Sequence, residues 1–374
     1  MSEAFIPVNE PRFEGNEAAY LAECIRSGWV SSEGPYVKQF ESDFASRVER
    51  AHGIAVCNGT AALDVAVAAL GIGPGDEVIL PTFTIVSCAA AVVQAGATPV
   101  VVDADPDTWN MRADEVAQRI TERTRAIMAV HIYGLPVDMD PLFEVARAHG
   151  LAVIEDAAEV IGQTYKGRPC GSFGNVSTFS FYPNKHITTG EGGMVVTNDE
   201  ALAAQCRSLR NLCFGQGGKR FVHESIGWNY RLSNLQAAVG VAQLEQLDAT
   251  IRRKREIGTR YHELLADVDT LQLPPARCAF AENIFWVFGV VLRNDCPLDA
   301  AGAMQALRAK GIGTRPFFYP MHRQPVFLEA GLFAGESHPV AERLAERGFY
   351  LPSGLSIEDA QVERVAAAVK EVLA

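Results

Sequence analysis

Short runs of valine, isoleucine and leucine alternate with longer segments through the first two thirds of the chain. Apolar runs of about four to eight residues are typical of buried strands, and the segments between them are long enough for helices. We predict strands in GIAVCN, DEVILP, TPVVVDAD, TRAIMAVHIYG, LAVIEDAAEV and MVVTN, in that order. LAVIEDAAEV runs from a strand into a turn.

The intervening segments show the apolar stripe of packed helices. We predict helices at 16–27, about 36–50, 59–71, 85–96, 112–120 and 139–150. This alternation is typical of an α/β fold with a mostly parallel sheet covered by helices on both faces. In such sheets functional residues collect beyond the carboxyl ends of the strands. The marked residues at predicted strand ends are Asn58, Gly59, Thr60, Pro81, Thr82, Phe83, His131 and Asp156.

The pattern changes after about residue 245. A long charged helix follows, and then the apolar runs IFWVFGVVL and GIGTRPFFYP, with helices between and after them. We therefore predict a large α/β domain at 1–245 and a smaller α+β domain at 246–374, with the boundary placed to within about ten residues.

Charge and composition narrow the class of protein. The 374 residues include 33 basic and 45 acidic side chains, a net charge of −12, which argues against a nucleic-acid or anionic-membrane surface. The N-terminus lacks the features of a signal peptide, and no uncharged apolar run reaches the roughly 18 residues of a membrane span. The eight cysteines form no CxxC pair. We expect a cytoplasmic protein with reduced cysteines and no metal site.

The segment NGTAALDVAVAAL places glycine and threonine between a strand and a helix. Such a turn presents free backbone N–H groups and the positive end of the helix dipole, which suits a phosphate. The Thr60 hydroxyl can add a donor. The alternative is a plain helix N-cap, for which threonine is common. The segment is neither a Walker A loop nor GxGxxG, so a nucleoside triphosphatase is disfavoured.

Two further residues carry possible chemistry. Asp156, in VIEDAAEV, follows an apolar strand, where a carboxylate can hold a protonated ring nitrogen. The alternative is a helix cap or a surface acid. Lys185 follows the aromatic run FSFYPN and precedes a glycine-rich turn. It is either a solvated turn residue or a buried amine, whose neutral form can make Schiff bases.

In this order, the phosphate turn, the strand-end acid and the lysine resemble those of fold-type I enzymes that use pyridoxal 5'-phosphate (PLP). Several longer strings are similar to the DegT/DnrJ/EryC1/StrS sugar aminotransferase family, and the resemblance covers nearly the whole chain. They are NGTAAL, GDEVILPTFT, GATPVVVDAD, VIEDAAE, FSFYPNKHITTGEGGMVVTND, GWNYRLSNLQAAVGVAQLE and TRPFFYPMH.

The resemblance implies roles for individual residues. Lys185 matches the Schiff-base lysine, which also moves protons, and Asp156 matches the acid that pairs with the ring nitrogen. Glu159 lies where relatives place a side chain near the ring edge and the phenolic oxygen. The residues that match the phosphate site are Gly59, Thr60, Ala61 and Ser180.

Other residues match positions that relatives use to share the active site between subunits or to bind substrates. Asn229 and Arg231, in WNYR, match residues supplied by the neighbouring subunit, so a homodimer is implied. Asn229 would contact the phosphate, and Arg231 would bind the carboxylate of the amino donor, L-glutamate. Four residues lie in loops that relatives place around the nucleotide-sugar, with aromatic packing or capping as the alternative: Trp29, Ser31, Tyr319 and His322.

Two residues near the matched positions need comment. Relatives often carry an aromatic residue at the position of Ile85, where it stacks on the cofactor ring. An isoleucine there loses about 1 kcal/mol of stacking and leaves the stacking partner open. His186 follows Lys185 directly, but residue types vary at that position in the family, so we assign it no chemistry.

The strings GWVSSEGPYV, HIYGLPVDMD and RPFFYPMHRQP look most like the branch of the family that converts GDP-4-keto-6-deoxymannose to GDP-perosamine. This implies transfer of an amino group from L-glutamate to a nucleotide-linked 4-keto-6-deoxy sugar, for a surface polysaccharide such as O-antigen. Three alternatives stay open: a UDP- or dTDP-linked keto-sugar as substrate, dehydration or deoxygenation of a keto-sugar, and a catalytically silent regulatory homologue.

Overall fold

A seven-stranded sheet forms the centre of the protein in a computed structural model that describes residues 4–214, 221–223 and 225–373. Its strand order is β1-β9-β8-β5-β4-β2-β3, and β9 runs opposite to both of its neighbours while the remaining pairs are parallel. A two-stranded hairpin, β6 with β7, lies outside the sheet. The strands are β1 His52–Val56, β2 Glu77–Pro81, β3 Thr98–Val102, β4 Thr124–Val130, β5 Ala152–Asp156, β6 Thr164–Tyr165, β7 Arg168–Pro169, β8 Val176–Ser180 and β9 Gly193–Thr197.

Helices cover both faces of this sheet. Successive residues of one strand point to opposite faces, and the core divides accordingly: Val78 and Leu80 belong to one apolar cluster and Ile79 to another. The α/β fold class is therefore confirmed. The helices of this part are α1 Glu17–Ser27, α2 Pro35–Arg47, α3 Gly59–Ala69, α4 Val86–Gln94, α5 Ala113–Val116, α6 Met139–His149, α7 Glu200–Leu209 and α8 Asn234–Glu245.

A second, antiparallel sheet follows, with the order β10-β11-β13-β12. Its strands are β10 Leu271–Gln272, β11 Phe288–Leu292, β12 Arg315–Pro316 and β13 Gly348–Leu351, and its helices are α9 Leu247–Leu265, α10 Ala300–Ala309, α11 Pro325–Glu329, α12 Pro339–Arg347 and α13 Asp359–Leu373. Trp286 and Phe317, from this part, also pack into the core of the large sheet. The boundary between 245 and 246 stays a prediction.

Three predicted elements are shorter in the structure. The helix predicted at 112–120 is α5 followed by one 3₁₀ turn. The strand TRAIMAVHIYG ends at Val130, because the chain then turns between Ile132 and Leu135. IFWVFGVVL pairs only from Phe288 onward. In the part of the chain that the structure describes, no helix combines the length and the apolar character that a membrane crossing needs.

Candidate active site

The carboxyl ends of the central strands open into a cavity of about 460 Å³. Asp156 ends β5, Ser180 ends β8, and Asn58 follows β1. Because parallel strands end at the same edge of a sheet, these three side chains line one space. The sequence predicts strand ends near Asn58 and Asp156 but predicts no strand before Ser180. Lys185 reaches the same cavity from the loop after β8.

Lys185 is a buried amine and not a solvated turn residue, since its side chain is only 10% exposed. Its backbone N–H donates to the Tyr182 carbonyl at 2.9 Å, which closes the turn that carries it. The Nζ atom lies 3.7 Å from Glu159 Oε1 and 3.8 Å from the centre of the Trp286 ring. Burial lowers the pKa of Lys185, and the charge of Glu159 opposes that shift. A lowered pKa favours the neutral, nucleophilic amine.

Glu159 faces Lys185 from the turn after β5. Its Oε2 accepts the Tyr133 backbone N–H at 3.0 Å, which fixes the carboxylate in the cavity wall. Burial raises the pKa of Glu159 to about 7, although the charge of Lys185 acts in the other direction. The pair can therefore exchange a proton close to neutral pH.

Asp156 is 3% exposed, so the surface-acid alternative is excluded. Its Oδ1 accepts the Ala158 backbone N–H at 3.1 Å, and its Oδ2 accepts the Cys88 thiol at 3.4 Å. Burial raises the pKa of Asp156, while the charge of Lys185 lowers it. A buried carboxylate of this kind gains most from a cationic partner that enters the cavity.

The turn before α3 forms a tight cradle with the end of β8. A Cβ atom added to Gly59 would lie 2.7 Å from the Ser180 Cβ, so no side chain fits between the two segments. Thr60 lies beside it, with its Oγ1 2.9 Å from Ser87 Oγ. Backbone N–H groups and hydroxyls at a helix N-terminus suit a phosphate.

The N-cap of α3 is Asn58 and not Thr60. The Asn58 side chain accepts the backbone N–H of Ala61 at 2.8 Å. This amide is therefore already bonded, and the predicted contact from Ala61 to a phosphate requires that the bond be shared or released. The Ala61 contact stays a prediction.

Ile85 is the N-cap residue of α4 and lines the cavity with 43% of its surface exposed. An aliphatic face is thus available where an aromatic residue is common in relatives. Aromatic side chains line other parts of the cavity: Phe179, Tyr182, Trp286, Phe318 and Tyr350.

Four predicted residues lie outside the walls of this cavity within one chain. Trp29 and Ser31 are exposed in the loop between α1 and α2, and Tyr319 is 51% exposed. His322 is buried, 2.8 Å from Thr82 Oγ1 and 3.0 Å from Glu342 Oε1. The structure does not bring these four side chains to Lys185, and their substrate contacts stay predictions.

Asn229 and Arg231 also lie apart from the cavity of their own chain. Asn229 is exposed, and Arg231 is half-buried and hydrogen-bonded to Asn211 and Asn229. The same segment pairs with the edge of the sheet, where Cys57 N donates to the Tyr230 carbonyl at 2.8 Å. Both side chains are therefore placed at the surface, where a second subunit can use them.

Two histidines noted in the sequence, His131 and His186, are both buried in the protein interior. His131 lies 3.1 Å from Glu155 Oε1 and accepts the Val137 N–H at 3.0 Å. Glu155 also accepts three backbone N–H groups and the Ser177 hydroxyl, so its oxygens are already occupied. His186 is fully buried, and burial lowers its pKa well below the usual range.

Sequence reasoning missed the contribution of the chain after residue 246 to the cavity. Trp286, Arg315 and Tyr350 all line it. They lie more than one hundred residues from Lys185 in the chain, and no local pattern marks them. The only available signal was the string TRPFFYP, which contains Arg315.

The chain is similar to known proteins over nearly its whole length. A sequence model described as the DegT/DnrJ/EryC1/StrS aminotransferase family matches residues 11–370. The chain is 43% identical to GDP-perosamine synthase of Caulobacter vibrioides (strain ATCC 19089 / CIP 103742 / CB 15) over 98% of both chains, and 42% identical to GDP-perosamine synthase of Escherichia coli O157:H7 over 98% of both. It superposes on a crystal structure of S. venezuelae DesV in complex with ketimine intermediate, with a TM-score of 0.88 and 38% identity, over 95% of this chain and 94% of that one.

Proposed function

Because the chain belongs to the DegT/DnrJ/EryC1/StrS aminotransferase family, we propose that it moves an amino group from L-glutamate to GDP-4-keto-6-deoxymannose and makes GDP-perosamine. The observation that carries this substrate is the 42–43% identity, over 98% of the chain, to proteins named GDP-perosamine synthase. The reaction class rests on the family and on the site around Lys185.

The family depends on PLP, and related proteins are named for it. The residues of this chain fit that group on three counts. A buried amine and a buried carboxylate, those of Lys185 and Asp156, line one cavity. At the Gly59–Ser180 contact an added Cβ would collide, so backbone and hydroxyl donors can approach a phosphate closely. When bound, PLP supplies an electron-withdrawing ring that stabilises negative charge on the carbon next to the amino nitrogen.

The residues of the chain then have separate tasks. Lys185 would hold the cofactor through its Nζ atom, and the same amine can take up and release protons during the amino transfer. Asp156 would pair with the cofactor's ring nitrogen and favour its protonated form. Glu159, at 3.7 Å, takes up or returns the proton of the Lys185 amine. Trp286 and Phe318 keep water from the reacting atoms.

A homodimer completes the site in this proposal. Arg231 and Asn229 lie outside the cavity of their own chain, and exposed apolar side chains lie on the same stretch, with Phe221 71% exposed and Ile226 95% exposed. An apolar surface of this kind suits a subunit contact. In a symmetric pair, the Arg231 guanidinium of one copy binds the glutamate carboxylate in the cavity of the other.

The test is turnover by the purified protein with PLP, L-glutamate and GDP-4-keto-6-deoxymannose, with GDP-perosamine and 2-oxoglutarate measured by mass spectrometry. We expect equal amounts of both products. Turnover only with a UDP- or dTDP-linked keto-sugar would replace the substrate, and release of a deoxygenated sugar without 2-oxoglutarate would replace the reaction. A protein that does not bind added PLP would point to a silent homologue.

A further inference from the structure

The Trp286 ring lies directly against the amine of Lys185, with Nζ 3.8 Å from the ring centre. Trp286 comes from the loop before β11, in the small domain, while Lys185 belongs to the loop after β8. An aromatic face at this distance attracts an ammonium group and limits the directions in which the amine can point. The contact therefore bears on how Lys185 is presented to the cavity.

The indole is tied to the lysine loop at its other end. Trp286 Nε1 donates to the carbonyl of Asn184 at 2.7 Å, and Asn184 immediately precedes Lys185. The ring thus contacts both the side chain of Lys185 and the backbone that carries it. Rotation of the ring would break the hydrogen bond and the contact with the amine together.

The backbone of Trp286 is held from the opposite side by a buried lysine. Lys254, on α9, is 1% exposed and donates to the Trp286 carbonyl at 2.9 Å and to the Ser353 carbonyl at 2.6 Å. No carboxylate in the described ranges forms an ion pair with it, and burial lowers its pKa to about 7. Because both hydrogen bonds go to backbone carbonyls, the amine fixes the positions of the Trp286 and Ser353 backbones.

We propose that Trp286 is a positioning residue that orients the Lys185 amine toward the cavity, and that Lys254 acts through Trp286 by holding its backbone. The inference rests on the proposed function, because it assumes that Lys185 is the amine that captures PLP. In that capture the Lys185 nitrogen forms a C=N bond to the aldehyde carbon, and the aldehyde oxygen leaves as water.

The experiment measures that capture without any sugar substrate. Cofactor-free protein is mixed with PLP, the C=N bond is reduced with borohydride at timed intervals, and the labelled peptide is quantified by mass spectrometry. The pH is set where the rate no longer rises with pH, so that the rate reports orientation rather than protonation. We expect W286A to slow labelling of Lys185 about tenfold, and W286F, which keeps an aromatic face, to slow it less than threefold.

Matched variants separate positioning from stability. W109F removes another buried indole N–H, and K310M removes a lysine whose ion pair with Glu371 lies at the surface. Both should label at the wild-type rate. K254M should slow labelling in the same direction as W286A, and K254Q, which keeps an N–H donor, should recover part of the rate. The double variant W286A/K254M should label no more slowly than W286A, because both substitutions remove the same positioning of Lys185 by Trp286.

Each result has one meaning. Wild-type protein that never labels at Lys185 would overturn the proposed function and leave nothing for Trp286 to position. Normal labelling of wild type together with equal labelling of folded W286A would overturn the positioning role alone. If K254M fails to fold, K254Q decides: a wild-type rate in K254Q alone, or a rate in W286A/K254Q slower than that of W286A, would overturn the role of Lys254.

Discussion

Lys185 Nζ lies 3.7 Å from Glu159 Oε1, and the two side chains are only 10% and 7% exposed. Burial pushes the two groups toward neutrality from opposite directions, since it lowers the pKa of the lysine and raises that of the glutamate to about 7. Their mutual attraction opposes both shifts. Near neutral pH, burial therefore favours the protonated form of Glu159, while the charge of Lys185 favours its carboxylate.

The first prediction concerns the stability of the cofactor-free protein as a function of pH. Unfolded Glu159 titrates near 4.5, and the folded group titrates near 7. Between these values only the folded state holds the proton. The contribution of Glu159 is therefore fully present below about pH 4.5 and is lost as the pH rises through about 7. From pH 5 to 8, the unfolding free energy of wild type should fall relative to that of E159Q by about 2 to 3 kcal/mol.

Urea unfolding at several pH values measures this difference. If the difference between wild type and E159Q does not change with pH, Glu159 does not titrate as its burial indicates.

A second prediction tests the phosphate cradle. An alanine at position 59 would place its Cβ 2.7 Å from the Ser180 Cβ and push the two segments apart. We expect G59A to weaken PLP binding at least tenfold, and S180A, which loses one hydroxyl, about fivefold. S180G opens the space that the new methyl group needs, so G59A/S180G should bind more tightly than G59A. Equilibrium titration of cofactor-free protein gives the dissociation constants, and unchanged binding by G59A would count against this site.

His322 allows the substrate and structural interpretations to be separated. Its ring joins Thr82 to Glu342 inside the protein. H322A would remove both hydrogen bonds of the buried ring, although Glu342 keeps those from Arg323 and from the His338 backbone N–H. We expect the unfolding free energy to drop by about 2 kcal/mol. The KM for the nucleotide-sugar should change less than twofold. A large rise in KM at unchanged stability would support the contact implied by the family instead.

Lys185 and Asp156 could be predicted from the sequence because local patterns mark both residues. Asp156 ends a predicted apolar strand, β5, while Lys185 is marked by the aromatic run before it, which overlaps the end of β8. The sequence analysis predicts no strand at 176–180. Ser180 is therefore assigned to the phosphate site beside Gly59 through the family resemblance and not through strand ends.

Trp286 could not be predicted as part of the site, since it lies in a loop far along the chain from Lys185. Its surroundings read as a strand, but pairing begins only at Phe288. The apolar run GIGTRPFFYP also reads as a strand, but only Arg315 and Pro316 form one. The Phe317 N–H still donates to the Gly348 carbonyl of β13, and the Phe317 ring packs against Tyr133.

The last prediction concerns the origin of Arg231 in the complete site. If each cavity uses Arg231 from the other subunit, K185A and R231A should each be inactive as pure proteins. In a mixed dimer, however, one cavity receives both defects and the other receives none. After subunit exchange at equal amounts, half of the dimers are mixed, and activity should return to about one quarter of wild type.

In the control experiment, K185A is mixed with D156N under the same conditions of subunit exchange. Both residues line the cavity of one chain, so every cavity in the mixed dimers keeps one defect and the mixture should stay inactive. If K185A and R231A also fail to restore activity, although mass spectrometry detects mixed dimers, Arg231 serves its own subunit. Because Arg231 lies apart from the Lys185 cavity within one chain, such a result would require the 229–231 segment to move when substrate binds.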